Sequence, residues 1–355
     1  MNPKFWMFSF LLLMVLTFCW SCSSYPPTSY GSGVYPNRNA TPGFTSTPAP
    51  TLEATPAYVG GWLVSGPNGL AQANGSIYVA EGDGASVSQV QVFNSTGGSA
   101  VTQWSSYSTG TTVIPFQWPN GLAINSTSGN MYVLDSGNAN TGVGAVYEFG
   151  PAPTYSPVTT WTSFNSNTFS YPGGIALDST GNVYVADLGN ELLEEFSATG
   201  TPLAQWSSSY QGYSVFPIGV AVDGSGNVYV ADGNNGLIWK LTSSGASFSA
   251  AATWSLPAPP AYALNYDDPL FYSLAVDGAG NLLVADYDNS LVEVYSPTGT
   301  LLAELTGNQT GATAFGGPSA VLFYNNDFYV GDYDVNTLNV TNSAGNIQYF
   351  GPVSY

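Results

Sequence analysis

Pro172–Gly200 reads PGGIALDSTGNVYVADLGNELLEEFSATG, and Pro217–Gly245 reads PIGVAVDGSGNVYVADGNNGLIWKLTSSG. The landmarks keep their places. An apolar run ends in Asp (Asp178, Asp223), a Gly-Asn pair follows (Gly181-Asn182, Gly226-Asn227), and Val-Tyr-Val-Ala-Asp closes at Asp187 and Asp232. Looser copies start at Pro67, Pro119, Phe271 and Pro318. Six copies spaced by about 50 residues, each with several short strands, predict radial blades.

One copy divides into four strands. Gly174–Leu177 is strand a, Val183–Ala186 strand b, Leu192–Phe196 strand c and Pro202–Trp206 strand d. Strand b is apolar without alternation, the pattern of a strand buried on both faces. Gly181 supplies positive φ to the a–b turn. The outer copies shorten that turn to Asn74-Gly75 and Asn325-Asn326, residues that tolerate the same conformation. Strand d ends in Trp at Trp104, Trp161, Trp206 and Trp254. Asn346–Phe350 and Gly61–Val64 then compete for strand d of the last copy, so one terminal segment is expected to close the ring.

The pattern P-x-G-[IVL]-A-[VL]-D-x-x-G-N-[VL]-[YL]-V-A-D-x-x-N resembles the NHL repeat across residues 58–355. The resemblance implies an all-β, six-bladed β-propeller of four-stranded antiparallel blades. Propellers of this type include RNA-binding and protein-binding domains, an amidating lyase and bacterial surface proteins, and related six-bladed folds include calcium-dependent lactonases. Fold alone does not choose among them. Many family members carry Arg two residues after the Asn of D-x-x-N. Here Leu192, Leu237 and Leu291 stand there, which argues against a nucleic-acid role.

Composition narrows the choice. Net charge is −19, and the only cations are Lys4, Arg38 and Lys240. Phosphate backbones are held by Lys and Arg, so no nucleic-acid partner is expected. The chain has no histidine, which closes Ser-His-Asp and imidazole acid–base catalysis. Lys240, alone on strand c, is expected to be a solvated side chain. Cys19 and Cys22 both lie in the N-terminal segment, so no disulfide staples the repeats.

The chain divides into a segment 1–22, a Pro/Ser/Thr-rich linker 23–57 and the propeller 58–355. Lys4 followed by the apolar run Phe5–Trp20 reads as an export signal. Ser21-Cys22 resembles the end of a bacterial lipobox, which implies lipidation at Cys22; the alternative is ordinary signal cleavage. The linker at about 3.1 Å per residue would reach roughly 100 Å. The expected address is the cell envelope or the outside, with membrane contact only through the lipid anchor, and the expected state is a monomer.

Two acidic sets recur. Asp178, Asp223 and Asp277, with Asn125 in the second copy, each begin a turn and are expected to bond its backbone. Glu81, Asp135, Asp187, Asp232, Asp286 and Asp332 end strand b in every copy, with Asn138, Asn190, Asn235 and Asn289 three residues after four of them. This second set reads either as turn chemistry or as a ring of hard oxygen ligands for calcium. No cofactor is expected other than calcium, should that ring bind it. Aromatic candidates for a ligand face are Trp118, Tyr171 and Phe216, which precede strand a, and Tyr210, Tyr213, Tyr262 and Tyr266 in the longer approaches. The leading functional expectation is a non-enzymatic binding scaffold for a protein or glycan. The alternative is a calcium-dependent hydrolase of the lactonase type.

Overall fold

A computed structural model of the chain describes residues 56–82, 87–137, 142–244, 246–256, 272–307, 314–333 and 345–352. Six four-stranded antiparallel sheets follow one another. In blade three the strands are Pro172–Leu177, Val183–Asp187, Leu192–Phe196 and Pro202–Trp206, a to d from the axis outward. Strand a of every blade packs on strand a of the next, and that of blade six (Pro318–Tyr324) packs on that of blade one (Pro67–Ala73), so the ring is closed. The chain is a six-bladed β-propeller.

The P-x-G start of strand a has a local reason. Proline has no N–H to offer a ladder, and it sits where the strand is irregular: a register shift separates Pro from the Gly two residues on in blades one, two, three and four, and Pro318 from Ala320 in blade six. The glycine then lets neighbouring inner strands touch. A Cβ on Gly174 would lie 2.9 Å from the Ile218 carbonyl oxygen, and one on Gly69 would lie 2.9 Å from that of Asn120. Blade five begins Phe271-Tyr-Ser instead, and its a–b ladder from Tyr272 to Val276 runs without a register shift.

Both terminal candidates for the closing strand are used, in different places. Gly345–Phe350 is strand c of blade six, and Tyr58–Val64 pairs with it as strand d. The expectation that Asn346–Phe350 competes for strand d is corrected. The burial patterns carry the difference: GNIQYF is buried at every residue, whereas YVGGWLV alternates, with Leu63 75% exposed. An alternating pattern belongs to an outer strand with one solvated face.

The core is divided into seams between blades. Trp62 at the end of the closing strand reaches blade one, with ring centroids 5.6 Å from Phe93, 6.2 Å from Tyr349 and 6.5 Å from Tyr329. Trp161 and Trp254 repeat the arrangement, packing on Phe196 and Tyr295 of the following blades. Each of these three indoles lies flat on a glycine in the next blade's c–d turn. A Cβ on Gly97 would come 2.4 Å from Trp62 Cε3, and the left-handed φ of 80° there already disfavours a side chain.

Candidate functional site

The loops that enter strand a and those that leave strand b share one face of the ring. Three of the entering connections fold into small two-stranded flaps: Ser106–Ser108 with Val113–Pro115, Ser163–Phe164 with Asn167–Thr168, and Ser209–Tyr210 with Tyr213–Ser214. Each flap is pinned by apolar residues tucked between blades. Tyr107 and Phe116 enter the seam that holds Tyr147, Phe164 and Phe169 enter the next, and Val215 with the partly buried Tyr210 enters the third. The tips are polar and uncharged: Thr109-Gly110-Thr111-Thr112, Asn165-Ser166, and Gln211-Gly212. Val113 and Tyr213 stand exposed beside them.

The ligand-face candidates separate on this map. Tyr213 is 37% exposed. Trp118 is buried, and Phe216 packs on the cluster of Leu188, Ile218 and Leu274. Tyr171 is half-buried, its ring set where a Cβ on Gly142 would clash at 2.3 Å. Tyr262, Tyr266, Asn138 and Cys22 lie outside the described residues.

The acids that end strand b are all buried: Glu81, Asp135, Asp187, Asp232, Asp286 and Asp332. Asp135 accepts from the N–H groups of Gln117 (2.8 Å), Trp118 (2.8 Å) and Gly137 (2.9 Å). Asp232 accepts from Phe216 N (3.1 Å), Asn234 N and Asn235 N (each 3.1 Å), Asn235 Nδ2 (2.7 Å) and Trp239 Nε1 (3.3 Å). Asp187 accepts from Ser170 N and Asn190 Nδ2, and Asp332 from the N–H groups of Gly316 and Gly317. Asp286 is held by Asn289 through its backbone and side-chain amides, and Glu81 accepts from Gln89 Nε2. In blades two, three, four and six the acid therefore ties the loop entering strand a to the end of strand b. The Asn three residues on completes the knot. Asn190 Nδ2 donates to Thr168 O at 2.7 Å, and Asn235 Nδ2 to Ser214 O at 3.1 Å. Among the described residues no group of three or more His, Cys, Asp or Glu is arranged to hold a metal ion.

The acids that end strand a are Asx turns, as their position predicts. Asp178 Oδ1 accepts from Thr180 N (2.8 Å) and Asn182 N (2.9 Å), and Asp223 and Asp277 repeat the pattern. Burial alone would raise the Asp178 and Asp223 carboxyls, but these hydrogen bonds to the charged form outweigh it and hold both below the usual range.

Lys240 corrects the expectation of a solvated side chain. It is half-buried, its Nζ lies 5.2 Å over the Tyr229 ring, and it donates to the Pro297 carbonyl of blade five at 3.0 Å. It staples two blades.

Sequence reasoning passed over the acids on strand c, of which Glu194 and Glu293 are the most deeply buried. Both are 0% exposed. Each stands opposite the central valine of strand b, Val185 and Val284, on the face that carries Asp187 and Asp286. The equivalent residues in the other blades are Gln91, Tyr147, Trp239 and Gln348. Desolvation, with the neighbouring Asp187 charge, pushes Glu194 up to about 8. Glu293 is pushed well above the carboxylate range by burial, then by Asp286 and Glu304. Desolvation raises Asp187 and Asp286 to about 6 each. The signal was present: a charged residue in the middle of a short strand that is apolar around it, as in LVEVY.

Two family models match. Residues 64–216 match the SMP-30/gluconolactonase/LRE-like region, and residues 215–241 match the NHL repeat. No curated protein matches the chain. Among solved structures, virginiamycin B lyase from Staphylococcus aureus, in a catalytically inactive His-to-Ala variant with quinupristin, is similar at 12% identity and TM-score 0.51, covering 83% of this chain and 89% of that one. The RRP9 WD40 repeats are similar at 11% identity and TM-score 0.53, covering 84% and 99%. A protein of unknown function from Bacteroides thetaiotaomicron is similar at 15% identity and TM-score 0.51, covering 84% and 71%. At these identities the likeness is one of fold.

Proposed function

We propose that the chain is a non-enzymatic binding scaffold, carried to the cell envelope or beyond, that presents its flap-bearing face to a protein or glycan. The observation that carries this reading is how the acids are used. The carboxylates of blades two, three, four and six, which a catalytic or metal role would need, hold down the loops of their own blades. The flap tips offer hydroxyls, amides and the exposed Tyr213, groups suited to neutral polar ligands. The lyase similar in fold is inactive when a histidine is replaced by alanine, and this chain has no histidine.

The second reading, a calcium-dependent hydrolase of the lactonase type, is favoured by the SMP-30/gluconolactonase/LRE-like match over residues 64–216. One set of measurements separates the two. The chain is presented to a glycan array and to immobilised envelope proteins, and in parallel to a lactone panel with calcium or chelator. The scaffold reading expects binding that weakens at least severalfold in a Tyr213→Ser, Val113→Ser variant, and no lactone turnover. Calcium-dependent turnover would replace it with the hydrolase.

Export through residues 1–22 and anchoring at Cys22 belong to the same proposal. Cys22→Ser is expected to move the protein from the membrane fraction to the soluble fraction. Unchanged fractionation would end the anchoring part of the reading.

A further inference from the structure

In the seam between blades two and three and in the seam between blades four and five, a strand-c glutamic acid is sealed in with buried oxygens that lack a partner among the described residues. Glu148 and Glu195, the other buried acids on strand c, accept from Tyr132 and Asn130 and from Tyr184 and Ser243. Glu194 Oε1 accepts from Gln205 Nε2 at 3.0 Å, while its Oε2 is buried without a hydrogen-bond partner among the described residues. Both oxygens of Glu293 are in that state. A fully buried carboxylate with no donor and no cation is among the costliest groups a fold can hold, and the neutral acid is far cheaper.

The surroundings supply no compensating charge. Glu194 shares its face with Asp187, and strand d offers only Gln205. The seam around it is filled by Leu134, Val146, Phe169 and Val185, and the titratable groups reaching in from blade two, Tyr132 and Glu148, bond to each other at 3.2 Å. Glu293 is flanked by Asp286 on strand b, with Asp288 just beyond, by Glu304 opposite on strand d and by Tyr295 on its own strand. Blade four brings Tyr229 and Lys240, and Lys240 is engaged with Pro297 O at the c–d turn.

We propose that Glu194 and Glu293 are proton-holding latches: the ring closes around the neutral acids, is tightest in mildly acidic medium, and loosens at these two seams as the protons leave. The sign follows from linkage. A group whose folded pKa is raised adds stability that is fully present below its unfolded value and is lost as pH rises through the folded one. For Glu194 that window runs from 4.5 to about 8. Asp187 and Asp286 act in the same direction, from 3.8 to about 6. Asp178 and Asp223, held low, act oppositely and withdraw stability only as pH falls below 3.8. Stability therefore peaks on the acid side of neutrality.

The test is the melting temperature of the full chain from pH 4.5 to 9, in 1 M NaCl. Salt at that level screens repulsion among surface charges within about 3 Å and leaves buried groups little affected. The wild type is expected to melt at least about 5 °C lower at pH 8.5 than at pH 5. Glu194→Gln with Glu293→Gln, neutral at both pH values and of the same shape, is expected to reduce that slope to the share of Asp187 and Asp286, which is lost by about pH 6, and to melt above the wild type at pH 8.5. Each single variant should remove part of the slope, which keeps the test intact should the double variant fold poorly. A wild-type melting temperature that is level or rises between pH 5 and 8.5, or Gln variants with the wild-type slope, would overturn the proposal.

Discussion

A chain beginning at Ser65 is expected not to form a closed ring. It lacks Tyr58–Val64, the outermost strand of blade six, whose six pairings run from Tyr58 with Phe350 to Val64 with Gly345. It also lacks Trp62, which stands between Phe93 of blade one and Tyr349 of blade six. Trp62→Ala alone should cost about 3–5 kcal/mol, the range for removing a buried large aromatic. Domains are stable by only about 5–15 kcal/mol, so the single substitution consumes a large share and the deletion more. Loss of the strand further bares the edge of Gly345–Phe350, a wholly buried and uncharged strand that would template pairing with other chains. Urea titration and size-exclusion chromatography read both effects. A truncated chain that stays monomeric with the wild-type midpoint would show that the N-terminal strand does not close the ring.

Asp232→Ala is expected to destabilise the propeller by about 3 kcal/mol or more, with or without calcium. The carboxylate is fully buried and takes hydrogen bonds from five donors on four residues: Phe216, Asn234, Asn235 and Trp239. Each buried donor left unpaired costs about 1–3 kcal/mol, reduced where the loop relaxes enough to admit water. Asp232→Asn should cost less, since the amide oxygen can still serve Phe216 N while its NH2 faces the donors of Asn235 and Trp239. Melting curves in calcium and in chelator complete the measurement. A ligand bound only to the folded state at 100 times its Kd adds roughly 2.7 kcal/mol. A calcium-dependent gain of that size, abolished by Asp232→Ala, would return the strand-b acids to the role of metal ligands.

The two acidic sets show what kind of information each level holds. Asp178 bonds residues two and four positions ahead, so its role is legible in D-x-x-G-N without a fold. Asp232 bonds Asn235 within the same short motif, but also Phe216, 16 residues back across a whole hairpin. Half of that function is local and half is not. Glu194 and Lys240 show the limit. Each sits on strand c of a recognisable copy, one beside Asp187 in a seam with no base, the other over Tyr229 with a carbonyl of blade five. Nothing within its own copy separates a solvated lysine from a staple.

The sequence by itself determined the six copies, the order of four strands in the inner ones, the a–b turns and the double-faced burial of strand b. All of these rest on contacts between residues a few positions apart, in strands joined by tight hairpins, so the pattern of Gly, Asn, Asp and apolar residues is sufficient. Only the tertiary structure decided that residues 58–64 and 345–350 pair with each other, that the flap aromatics turn into the seams and leave Tyr213 outside, and that Glu194 and Glu293 lie sealed between blades with oxygens unpartnered among the described residues. These depend on neighbours far apart along the chain, as when Ser319 Oγ donates to the carbonyl of Pro67, 252 residues away. Closing a ring brings such groups together through the summed geometry of six blades, and no local propensity records which side chains will meet there.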